Sequence, residues 1–148
     1  MARVPVVEWP EDRDDSAPVP TLVFMVLGLA IKDGATELHV EPQAEECKMN
    51  YRVNGILYEM VPPPWQIAQN ITNRLKVLAD LDTGKSRVVQ EGSFRLQVED
   101  EFIEVAVRSQ PTPFGEAAHL RFPDPEKIST EIRQRFRQRL WNWVRTEE

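Results

Sequence analysis

At 148 residues, with 41% apolar and 28% charged residues and a formal net charge of −6, the chain has the composition of one soluble globular domain. The negative charge excludes general nucleic-acid binding, so any positive patch must be local. A single cysteine, Cys47, excludes an intramolecular disulfide and a zinc site built of several thiolates.

Residues 1–19 set Pro5, Pro10 and Pro18 among Glu8, Glu11, Asp12, Asp14 and Asp15, a composition that predicts a flexible acidic tail. The acids also argue against a secretory signal, which needs a basic start. The apolar run from Thr21 to Ile31 is far shorter than the ~20 residues that cross a bilayer as a helix. A cytoplasmic location is the default expectation. Residues 20–123 are expected as the folded domain. Pro20 suits the first turn of a helix running from Leu22 to Lys32 and closing at Asp33-Gly34, with Gly34 in the left-handed C′ position. That helix is apolar nearly all round. One side is therefore expected against a sheet and the other against a second element or another chain, with Phe24 and Leu27 as interface candidates.

Glu37 to Glu41 alternates and stops at Pro42, predicting a strand with Leu38 and Val40 inward and His39 on the other face. Lys48 to Val61 follows, centred on Asn54-Gly55. Both residues tolerate the positive φ of a type I′ turn, which fixes the register: Val53 faces Ile56, Tyr51 faces Tyr58 and Met49 faces Met60 on one side, with Arg52–Leu57 and Asn50–Glu59 on the other. Such a ribbon needs further strands and a lid to stand in water. After Pro62-Pro63-Pro64, the spacing of Ala68, Ile71, Leu75 and Leu78 predicts an amphipathic helix over Trp65 to Leu78. Phe94, Leu96 and Val98, then Ile103, Val105 and Val107, predict a second hairpin turning at Glu99-Asp100-Glu101. Pro111 to Gly115 reads as a loop, and Ala118, Leu120 and Phe122 as a last strand with His119 and Arg121 on its other face. Asp124-Pro125 opens a basic amphipathic helix expected over 124–148. Its stripe of Ile132, Phe136, Leu140 and Trp143 supplies the remaining interface candidates, and Arg133, Arg135, Arg137 and Arg139 fill much of its polar side. The class is α+β: a mostly antiparallel sheet of five or six strands with helices packed on it.

No constellation in the sequence demands chemistry. Thr83-Gly84-Lys85-Ser86 contains GKS, but Ala79 stands where a phosphate-binding loop needs its first glycine, and the stretch follows a helix instead of a strand. His39 and His119 each sit alone on a strand without a ligand neighbour at metal spacing, so no metal site is expected. No nucleophile elbow or paired carboxylates stand out, so neither catalysis nor a cofactor is expected. The arginine-rich last helix, with Trp141 and Trp143, could also lie on an anionic membrane surface.

GATELHVEP, YRVNGILYEM, RLKVLADLD, RVVQEG and PTPFGEAAHLR, in that order over residues 34–122, resemble the N-terminal domain that precedes the catalytic domain in type II secretion and type IV pilus assembly ATPases. The family pattern runs ASDIHIEP, RxRxDGxLxE, RxKxMAxLDIAExRxPQDGR, VDxRVSTxPxxxGExxVxR. The resemblance implies a PAS-like α+β fold, arginines presented to the ATP γ-phosphate held by the catalytic domain, and packing against neighbouring subunits of a hexamer. It makes Arg121 one of the phosphate-facing arginines. Arg52, Arg74 and Arg87 match basic positions to which it gives no duty. This sequence departs from the pattern at Ala106, where the second phosphate-facing arginine belongs, at Ser93, in place of the arginine after QDG, and at Ala117, in place of a basic residue after GE. No Walker motif is present, and the residues after Phe122 are too few for the catalytic domain. The start at Met1 and a final helix foreign to the pattern favour a naturally short protein. The expectation is a non-catalytic interaction or regulatory module that docks on a secretion or pilus ATPase or on its own copies. The alternative is a PAS-like sensor of a small molecule or nucleotide.

Overall fold

The structure, a computed structural model, describes residues 4–145; residues 1–3 of the expected tail and 146–148 of the expected last helix lie outside it. One sheet carries strands β1 (Val6–Glu8), β2 (Glu37–Pro42), β3 (Cys47–Val53), β4 (Ile56–Glu59), β5 (Gln90–Val98), β6 (Glu101–Thr112) and β7 (Gly115–Arg121). Their spatial order is β1-β5-β6-β7-β2-β3-β4, antiparallel throughout except for the parallel β1–β5 pair. Helices α1 (Pro18–Lys32), α2 (Ala68–Leu78) and α3 (Thr130–Arg145) complete an α+β architecture.

The period-two pattern does the sorting. Leu38 and Val40 of β2, Phe94, Leu96 and Val98 of β5, Ile103, Val105 and Val107 of β6, and Leu120 of β7 are all buried beneath the helices. Each such side chain contributes about 1.5–3 kcal/mol relative to exposure. The alternate residues face away from the helices and form an open, polar face. The Asn54-Gly55 turn has φ of 52° and 81°, and the register read from it holds: Val53↔Ile56, Tyr51↔Tyr58, Arg52↔Leu57 and Asn50↔Glu59. The Tyr51 hydroxyl donates to Asp33 at the end of α1 at 2.8 Å, and this bond to a carboxylate pushes the phenol up to about 12. Ile56 and Tyr58 nevertheless remain about half exposed, because β4 is the sheet edge and the helices do not reach over it, and Leu57 points to the open face beside Arg52.

The expected tail is instead part of the fold from Val4 onward. Strand β1 adds a seventh strand where five or six were expected, and Trp9 beyond it is fully buried. Its indole donates to the Phe24 carbonyl at 3.1 Å, stacks on Trp143 at 4.9 Å and meets Phe136 at 5.4 Å. One aromatic anchor thus outweighs the ordering cost that the proline- and acid-rich composition implied. Helix α3 also differs from expectation. Asp124-Pro125 opens only a 3₁₀ turn, Pro125–Lys127, with the Asp124 carboxylate accepting from the Glu126 amide; α3 begins later, where the Ser129 hydroxyl accepts from the Ile132 amide at 3.1 Å. Trp65 lies in a 3₁₀ turn ahead of α2, and Pro111 extends β6 so that the loop shrinks to Pro113-Phe114.

The two apolar helices find each other. Phe24, Leu27, Ile132, Phe136, Leu140 and Trp143, expected as surfaces for an external partner, are each no more than 6% exposed and lie in the chain's own core, most of them in the seam between α1 and α3. Gly28 lets that seam close, since a Cβ there would come within 3.1 Å of Leu140 and Trp9. On the other side of α1, α2 is tied to the sheet by a buried ion pair. Lys76 Nζ, fully buried, donates to Glu116 Oε2 at 2.8 Å and to the Lys85 carbonyl at 2.9 Å. Gln69 donates to the other Glu116 oxygen at 3.0 Å, and the Thr72 hydroxyl donates to the Glu116 carbonyl at 3.2 Å.

Candidate functional site

The site expected from the sequence, Arg121, lies at the end of β7 on the open face. Strand register places it in a row running Ser93–Ala106–Arg121–Glu37–Arg52 across β5, β6, β7, β2 and β3. Cross-strand partners share a face, so these side chains are immediate neighbours. Arg52 pairs with Glu37 at 3.4 Å and donates to the Gly55 carbonyl at 3.1 Å. Arg121 is exposed and has no hydrogen bond or ion pair within the described residues. It borders two shallow concavities: one of about 470 Å³ over the sheet, and one of about 390 Å³ between the Asn54-Gly55 turn and Asp124–Glu126. Arg74, another matched basic position, keeps a buried Nε without a hydrogen-bond partner, and Arg87 is exposed.

Two residues along each strand, on the same face, a second row runs Glu91–Arg108–His119–His39–Asn50. His39 and His119, expected to stand singly, are direct partners across β2 and β7, with ring centroids 4.5 Å apart. Glu37 lies 3.1 Å from His39 Nε2, and Glu41 lies 3.3 Å from His119 Nε2. Among the described residues, His39, Glu41 and His119 are the one group able to hold a metal ion. Nothing local in the sequence signals this, because the partners are brought together only by the β2–β7 pairing.

Other expectations meet occupied space. A sensor enclosing a ligand beneath the helices would need room there, but the cavity among Leu27, Leu38, Val40 and Leu75 is about 10 Å³, no more than a water. The apolar stripe of α3 is buried, and three of its arginines serve the fold: Arg133 donates to the Lys32 carbonyl at 3.0 Å, Arg139 to the Trp9 carbonyl at 2.6 Å, and Arg135 to Asp100 at 2.6 Å. The bond to Arg135 holds the Asp100 carboxyl below its usual range. The stripe from Ile132 to Trp143 is therefore not free to lie on a membrane, although Trp141 and Val144 of the same helix stay about half exposed. No helix among the described residues is long and apolar enough to cross one. The thiol of Cys47 is buried, and burial pushes it up, away from reactivity.

Comparison with known proteins places these features. The family model described as type II/IV secretion system protein matches residues 12–138. The type II secretion system protein E of Aeromonas hydrophila is 31% identical over 123 residues, which cover 83% of this chain and 25% of that protein. The type IV pilus assembly ATPase PilB of Myxococcus xanthus is 34% identical over 119 residues, covering 80% and 21%. PilB of Acinetobacter baylyi is 38% identical over 112 residues, covering 75% and 19%. The chain thus spans about a quarter or less of the length of these relatives. The segments that resemble the secretion and pilus ATPases lie on the scaffold around the two rows of the open face, and the chain belongs to the type II/IV secretion system protein family.

Proposed function

We propose that this chain is a non-catalytic interaction module of the secretion and pilus ATPase machinery, acting in the cytoplasm by docking on such an ATPase or on further copies of itself. The row Ser93–Ala106–Arg121 carries the reading. The family pattern has arginine at all three positions, so the register would set three guanidinium groups side by side; here only Arg121 remains. Adjacent guanidiniums grip phosphate through several charge-assisted hydrogen bonds, whereas a lone exposed one gains little in water. The surface left for docking is the open face, where Arg108, Arg121 and Arg52 alternate with Glu91 and Glu37. Mixed charge of this kind favours a protein partner of complementary pattern.

The test has two arms. Phosphate release from MgATP by the purified chain is expected to equal the buffer blank, in wild type and in Arg121→Ala alike. Light scattering is expected to show a complex with a full-length secretion ATPase, or a self-associated species, that Arg108→Glu weakens. Turnover that disappears in Arg121→Ala would overturn the reading.

A further inference from the structure

We propose that His39, His119 and Glu41 bind one divalent transition-metal ion of the zinc class on the open face of the sheet. One ligand atom from each lies within 4.8 Å of the others, and all three side chains are only partly exposed. Two imidazoles and a carboxylate are a donor set that suits zinc and its neighbours more than calcium or magnesium. The separation of His119 Nε2 from Glu41 Oε1, 3.3 Å, equals the edge of a zinc-centred tetrahedron, about 3.3 Å for bonds near 2.0–2.1 Å. His39 Nε2 is engaged by Glu37 at 3.1 Å, which leaves Nδ1 to coordinate and makes Glu37 the carboxylate that orients the ring. Two neighbouring cations are already held, Arg108 by Glu91 at 3.8 Å and Arg52 by Glu37 at 3.4 Å, while Lys48, across from Glu41 on β3, and Arg121 carry no ion pair among the described residues. The ion would span the junction of β7 with β2, where the strands β1-β5-β6-β7 meet the strands β2-β3-β4. A fourth position would face solvent. This site does not depend on the docking reading.

Only two histidines occur in the chain, which makes the test clean. Zn²⁺ is titrated into the chelator-treated full chain by calorimetry, and Co²⁺ serves as a visible-absorption probe of coordination. One equivalent is expected, with a raised melting temperature. His39→Gln and His119→Val should each abolish saturable binding; valine at 119 keeps the strand preference, and circular dichroism without metal checks the fold. Glu37→Gln should weaken binding by about 10- to 100-fold, the usual cost of losing an orienting carboxylate. Absent saturable binding, or non-stoichiometric binding that survives both histidine changes, would overturn the proposal.

Discussion

The buried pair Lys76–Glu116 gives a quantitative test of what holds α2 to the sheet. Replacing Lys76 by Met removes the cation and leaves a carboxylate that is only 3% exposed, still bonded to Gln69 but without its counter-charge. Breaking one side of a buried pair costs about 3–5 kcal/mol, because the desolvated partner charge stays behind. The double replacement Lys76→Met/Glu116→Leu removes both charges. It strands no neighbour, since the Lys85 carbonyl keeps a hydrogen bond from Gln90 at 3.0 Å and the Gln69 amide keeps Asn73 at 3.1 Å. The double variant should therefore be more stable than Lys76→Met alone, with a coupling energy of about 2–4 kcal/mol. Urea unfolding followed by tryptophan fluorescence reads this directly. With a slope of about 1–3 kcal/mol per molar urea, the single variant should lose about 2 M in midpoint, and the double should recover most of it. A single-variant loss under about 1 kcal/mol, or a double variant as unstable as the sum of the singles, would refute the reasoning.

Trp9→Ala should cost about 3–5 kcal/mol by thermal or urea unfolding, because the indole is fully buried against Phe136 and Trp143; a loss near zero would return the segment to the status of a tail. Gly92→Ala should cost about 1–3 kcal/mol in the same assay, since its Cβ would sit 2.9 Å from the Ala79 carbonyl, which is backbone and yields little. Tyr51 bears on alkaline stability. Its phenol is raised to about 12 in the fold against about 10 unfolded, so its contribution is complete below pH 10 and is lost as pH rises towards 12. Unfolding of Tyr51→Phe should show less stability loss across that window, and phenolate absorbance of the native chain should show a tyrosine titrating late.

The sequence makes the hairpin register legible because Asn54 and Gly55 tolerate a backbone that few residues do, and a two-residue turn leaves no freedom to slip. It also identifies α1 as a helix covered on more than one side. It does not say by what. Periodicity reports that a face is apolar and is silent about its cover, so the stripes of α1 and α3 read as two docking surfaces when they are the two halves of one seam. Strand β1 is hidden for a different reason: average composition over residues 1–19 describes the prolines and acids, while the segment is held by one buried indole, Trp9, and by strand pairing that composition does not report. The arginine row and the histidine pair lie in the strand order. Their members are far apart in the chain and become neighbours only when β7 joins β6 on one side and β2 on the other.

The seam between α1 and α3 also has a temporal meaning. Helix α1 is made early and its cover late, with most of the chain between Lys32 and Arg145. At about 5–20 residues per second of synthesis, the face carrying Leu27 and Gly28 waits about 5–20 s for Leu140 and Trp143 to arrive. Strand β1 waits similarly for β5. The nascent chain therefore passes through a period in which its most apolar helix is bare, and pulse-chase trapping by a chaperone that binds apolar segments should peak there and fall once α3 has been made.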